Sequence, residues 1–175
     1  MISIFPTYKC NHNCEFCYLH DKHYPKVLDL RILEKRLEEI TQHYEIEKFN
    51  TYGGEITLLD EDYLIQLNSI LNRYNVKNYV SSNLYNIEKL NLFTNAYISS
   101  SINEERADYK YVIETLKNNK HKFERLCVLS MITPSILNKD AYTVLKSYND
   151  LGIDWISFIK YYPSINTGDV YHIQQ

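Results

Sequence analysis

The sequence predicts an α/β fold in which six parallel strands are each joined to the next by a helix. Three observations carry this. Short apolar segments alternate with stretches whose apolar residues recur every three or four positions. The alternation runs the length of the chain. Parallel neighbours require long crossovers, which these helical stretches supply. Periodicity leaves open whether the sheet curls into a partial barrel or lies flat and doubly wound. Either geometry collects the working loops at the carboxyl ends of the strands.

The first strand is ISIF, stopped by Pro6, and a long cysteine-bearing loop follows it. Asp29 is a good N-cap, and Leu30, Leu33, Leu37, Ile40 and Tyr44 form one face of the first helix. The second strand, EKFNTY, runs into GGE, and a helix from about Asp60 carries Leu64, Leu67, Ile70, Leu71 and Tyr74 as its stripe. NYVSSN is the third strand, with a weak helix over 87–93. AYISSSIN is the fourth, leading into a helix near 107–116. FERLCVLSMI is the fifth. Ala141, Val144, Leu145, Tyr148 and Leu151 then stripe a helix closed by Gly152, before DWISFIKYY as the sixth strand.

The totals bound the function. With 175 residues, 45% of them hydrophobic, the chain is expected to form one domain over 1–175. A net charge of −3 and a pI near 6.1 supply no broad basic field, so nucleic acid is not favoured as a partner. No apolar run has membrane-spanning length and the N-terminus lacks the zones of a secretory signal, which implies a cytoplasmic protein without a membrane partner.

Cys10, Cys14 and Cys17 lie in a C-x3-C-x2-C spacing, with the fourth cysteine, Cys127, far away inside an apolar strand. Such a cluster reads as a metal or redox site rather than a disulfide framework. Spacing alone leaves zinc and iron–sulfur open. A structural zinc would take a fourth ligand, for which His12, His20 and His23 are nearby, whereas a four-iron cluster on three cysteines keeps one iron free.

The segment CNHNCEFC, with aromatic Phe16 before the third cysteine, resembles the cluster-binding signature of the radical S-adenosylmethionine (radical SAM) superfamily. A second motif, YGGE, falls at the end of the second strand, where that superfamily carries its GGE turn. The resemblance implies a partial (β/α)6 barrel with helices outside, lacking most of the last helix. It implies a [4Fe-4S] cluster on Cys10, Cys14 and Cys17, with S-adenosyl-L-methionine on the fourth iron. The implied reaction is reductive cleavage to a 5′-deoxyadenosyl radical that abstracts hydrogen from a substrate, a peptide or protein being one class, with electrons from a flavodoxin- or ferredoxin-like donor. No cysteine follows Cys127, so no auxiliary cluster domain is expected. Many relatives have proline after GGE, where this chain has Ile56.

On this reading Gly53 and Gly54 permit a sharp turn and close approach, and Glu55 offers a carboxylate or carbonyl to the ligand's amino group. Phe16 would lie by the adenine. Ser82, Asn83, Ser101 and Asn103 are short polar groups at strand ends, suited to ribose hydroxyls or a carboxylate. Ser130 is expected to face the cavity and Cys127, out of phase with it, to be packing. Lys160 and Tyr161 are further candidates whose strand parity the sequence leaves open. The histidines show no ligand spacing, and His12 is near the cysteines by sequence only. The competing classes are a zinc-stabilised binding module and a barrel that binds S-adenosylmethionine without turnover.

Overall fold

The computed structural model describes residues 1–14, 17, 19, 26–106 and 108–161. Its strands are β1 (Ile2–Ile4), β2 (Phe49–Thr51), β3 (Asn78–Ser81), β4 (Ala96–Ser101), β5 (Leu126–Ile132) and β6 (Trp155–Lys160). The helices are α1 (Leu30–Thr41), α2 (Glu61–Asn72), α3 (Ile87–Leu90), α4 (Tyr109–Asn119), α5 (Pro134–Leu137) and α6 (Ala141–Asp150). All strand pairs are parallel, in the order β1-β2-β3-β4-β5-β6. Every crossover therefore steps the same way, with no reversal of strand order, which selects the partial barrel over the doubly wound sheet.

The helices share one face of the sheet. Ile4, Phe49, Val80, Ile98, Leu126 and Val128 from the strands form a single core with Leu33, Leu37, Leu64, Leu67, Val112, Leu116 and Val144 from the helices. Burying each leucine stabilises the fold by about 2 kcal/mol. Asp29 caps α1 by accepting from the Arg31 amide at 2.9 Å, as its position before the apolar stripe requires. Among the described residues, no helix is long and apolar enough to cross a membrane.

Period-2 alternation turns Asn50, Tyr79, Tyr97, Ser99, Cys127 and Leu129 to the opposite, inner face, where registered partners stand side by side. This overturns one expectation. Ser130 shares its face with Val128 and is hydrogen-bonded to Tyr148 of α6 at 2.8 Å, so it looks into the helix layer. Cys127, in register with Ser99, is the buried inner-face residue. Burial pushes its thiol pKa up, Arg125 opposing and Asp154 adding to the effect. Lys160 has the parity of Phe158, whose ring meets Tyr148, so the strand turns it toward the helix side and Tyr161 toward the inner one.

Element ends differ more than element order. α1 stops at Thr41, which leaves Tyr44 beyond the helix and exposed rather than on its stripe. Leu145 also faces outward, and the weak third helix is one turn, capped by Asn86.

Candidate metal and cofactor site

The β1–β2 ladder continues past the last strand residue into the cysteine loop. Tyr52 N–H donates to Ile4 O at 3.0 Å, Gly54 N–H to Thr7 O at 2.8 Å and Glu55 N–H to Lys9 O at 2.8 Å. Both glycines are required by this approach. Gly53 has φ +146°, and a Cβ there would lie 2.6 Å from Thr7 O; at Gly54 a Cβ would lie 2.1 Å from Lys9 O. The close approach that the glycines permit is thus of one loop to another. At its far end the loop returns beside its start, with Leu28 N–H on Pro6 O at 2.9 Å and an antiparallel bridge between Thr7 and Val27.

The side chains of Cys10, Cys14 and Cys17 are half-buried. Cys17 N–H donates to Cys14 O at 3.1 Å. The Cys10 sulfur accepts from the His12 N–H at 3.4 Å and lies 4.0 Å from Asn83 Nδ2. Three soft sulfur donors with N–H groups aimed at one of them form the kind of donor set that an iron–sulfur cluster uses. Among the described residues no three His, Cys, Asp or Glu side chains already stand together as a metal site. Phe16, His20 and His23 lie outside the described residues.

Glu55 is the hub of the neighbouring strand ends, and it is 1% exposed. Its Oε1 accepts from Thr57 N at 3.0 Å, Thr57 Oγ1 at 2.7 Å and Ser82 Oγ at 2.8 Å, while Oε2 accepts from Asn83 N at 2.6 Å. The carboxylate turns inward and joins the loop after β2 to the loop after β3. Ser82 Oγ also accepts from Leu84 N at 2.9 Å, and Leu84 is held at φ 66°, a left-handed conformation that costs about 1–2 kcal/mol. That turn directs Asn83 toward the cysteines, where its Nδ2 donates to Asn11 Oδ1 at 2.8 Å.

At the end of β4 the candidates divide. Asn103 is buried, with both side-chain groups on the backbone of Met131, at 2.9 Å and 3.3 Å, so it staples β4 to β5. Ser101 is half-buried on the inner face, and its carbonyl accepts from Arg106 Nη1 at 2.6 Å. The structure brings Cys10, Gly54, Glu55, Ser82 and Asn83 into one bonded group; Ser101 and Asn103 stand apart from it.

Three further residues join the two groups. Arg106, with its side chain 3% exposed, grips Asp108 through Nε at 2.8 Å and Nη2 at 2.7 Å. The same Asp108 oxygen stands 3.1 Å from His12 Nε2, in the cysteine loop. Burial alone would raise the Asp108 carboxyl, but the Arg106 guanidinium and nearby His12 outweigh it and hold the pKa below the usual carboxylate range. Nothing in the spacing of residues 12, 106 and 108 announces this contact; the one legible cue is Asp108 as an N-cap residue before α4.

The Radical SAM superfamily model matches residues 4–159. No curated protein sequence matches the chain significantly. Among solved structures, SuiB of Streptococcus suis bound to precursor peptide SuiA aligns at 18% identity and a TM-score of 0.67, over 92% of this chain and 39% of that one. Native anSMEcpe with bound AdoMet and the Cp18Cys peptide aligns at 16% identity and 0.73, over 91% and 50%. Methylornithine synthase (PylB) aligns at 13% identity and 0.71, over 99% and 57%. The chain thus spans between 39% and 57% of the length of these proteins, and at such identities the likeness is one of fold. With the family model matched from the first strand to the last, the chain belongs to the radical SAM superfamily.

Proposed function

We propose that this chain is the core domain of a radical SAM enzyme, with Cys10, Cys14 and Cys17 as the protein ligands of a [4Fe-4S] cluster and S-adenosyl-L-methionine on the remaining iron. When bound, the pair supplies reductive cleavage of the sulfonium and a 5′-deoxyadenosyl radical for hydrogen abstraction. The protein's share is position and exclusion of water. The single observation that carries this reading is the anchoring of the cysteine loop across the carboxyl ends of β2, β3 and β4, through Gly54, Glu55, Asn83 and Asp108.

Each side chain then has a defined task. Glu55 holds the Gly53–Gly54 turn and the Asn83 backbone rigid, so the carbonyls and N–H groups of that rim face the ligand in one arrangement. Asn83 and Ser101, both half-buried, offer hydrogen bonds to the ligand, while Ser82 and Asn103 brace them from behind. Phe16 is assigned to the adenine edge on the motif alone. An electron donor of flavodoxin or ferredoxin type is required to reduce such a cluster. A peptide or protein is the substrate class we favour, because two of the similar structures contain peptides.

Anaerobic reconstitution of the chain tests the reading. About four iron and four sulfide per chain, with 5′-deoxyadenosine formed under a strong reductant, are expected. Bound zinc without sulfide would sink it in favour of the binding module. A loaded cluster without 5′-deoxyadenosine would leave a barrel that binds and does not turn over.

A further inference from the structure

We infer that His12, Asp108 and Arg106 form a latch that sets the cysteine loop in position before any metal enters. Arg106 is fully committed: two of its nitrogens hold Asp108 and a third holds the Ser101 carbonyl, so the guanidinium is a fixed post at the end of β4. Asp108 occupies the N-cap position of α4, where an aspartate ordinarily accepts from helix amides. Here it makes no capping bond, and its oxygens go instead to Arg106 and His12. An N-cap that forgoes its own helix is spent on another contact. That contact is a residue between Cys10 and Cys14, and the neighbouring Asn11 is held at 2.8 Å by Asn83 from the loop after β3. Loop residues 7, 9, 11 and 12 are therefore secured in turn by the ends of β2, β3 and β4. His12 Nε2 stands 3.1 Å from an acceptor that the Arg106–Asp108 pair keeps aimed at the loop without help from a ligand.

The assignment of Cys10 and Cys14 as ligands rests on the function proposed above; the latch itself is tested on the full chain without metal. Amide hydrogen exchange across residues 10–14 is expected to rise about tenfold in His12→Ala, with the amides of β3 and β4 unchanged, and to return toward wild type in His12→Gln, which restores a side-chain N–H. Asp108→Asn is expected to act as His12→Ala does; because it leaves a buried guanidinium unbalanced, His12→Ala is the deciding variant should it unfold. In anaerobic reconstitution His12→Ala is expected to take up iron several-fold more slowly yet reach the wild-type content. Unchanged loop exchange in His12→Ala overturns the latch, and so does loss of all bound iron, which would make His12 a ligand. A wild-type chain that shows the exchange pattern but binds no cluster leaves the latch standing and removes the proposed function.

Discussion

Glu55 Oε2 accepts the backbone N–H of Asn83 at 2.6 Å, and through that bond the GGE turn and the rim of β3 are one rigid piece. Four donors converge on the buried carboxylate, from residues 57, 82 and 83. The acidic side chain of the motif thus works first as an organiser of the strand ends.

Replacing Glu55 by Gln puts an N–H₂ group among two N–H and two O–H donors, and the backbone donor facing it loses its acceptor. A loss of about 2 kcal/mol or more is expected, read as a fall in the urea midpoint of the metal-free chain with the slope unchanged. A stability equal to wild type would show that the hub is not formed in solution.

Gly54→Ala places a methyl group against the Lys9 carbonyl, only 2.1 Å away, and that backbone belongs to the cysteine loop. The two loops must separate, at a cost of about 1–3 kcal/mol. Reconstituted iron content is expected to fall with the stability, whereas Gly152→Ala, at a positive φ and beside Lys120, should lower stability and leave iron content intact.

The thiols separate by role. Cys10→Ala, Cys14→Ala and Cys17→Ala are each expected to abolish cluster assembly, and Cys127→Ala to leave it intact, as Cys127 is buried within β5 and lies outside the cysteine loop. Iron and sulfide analysis after reconstitution checks this. Retention of the cluster in Cys14→Ala would show the ligand set to be wrong.

Tyr63 on α2 donates its hydroxyl to the Leu28 carbonyl at 2.8 Å, where the cysteine loop returns to the body of the domain. Burial, with some help from Asp29, pushes its pKa up to about 12. A phenol whose folded pKa lies above the unfolded value of about 10 contributes stability that is fully present below pH 10 and is lost as pH rises toward 12. The difference in unfolding free energy between wild type and Tyr63→Phe is therefore expected to be constant to about pH 9 and to shrink above it. A flat difference profile through pH 12 would contradict the assignment.

Much of the architecture was legible in the sequence. Helix stripes such as Leu33–Leu37 and Leu64–Leu67–Ile70–Leu71 repeat over a few residues, and the cysteine loop and GGE turn are contiguous motifs at the ends of recognisable strands. Strand parity is not legible: β5 is apolar on both faces, so pattern alone points Ser130 to the wrong side, and only its bond to Tyr148 in the helix layer fixes the parity. The partners of Glu55 were hidden for another reason, since Ser82 and Asn83 meet it only after β2 and β3 pair.

By itself the chain's local chemistry determined the element order, the position of the three thiols after the first strand and the tight turn after the second, because each depends on near neighbours in sequence. Tertiary structure alone decided that the strands run in unbroken order, that the glycines make room for backbone, and that His12 meets Asp108. These are contacts between distant segments. They come into being when parallel pairing aligns the strand ends, and no periodicity along the chain encodes them.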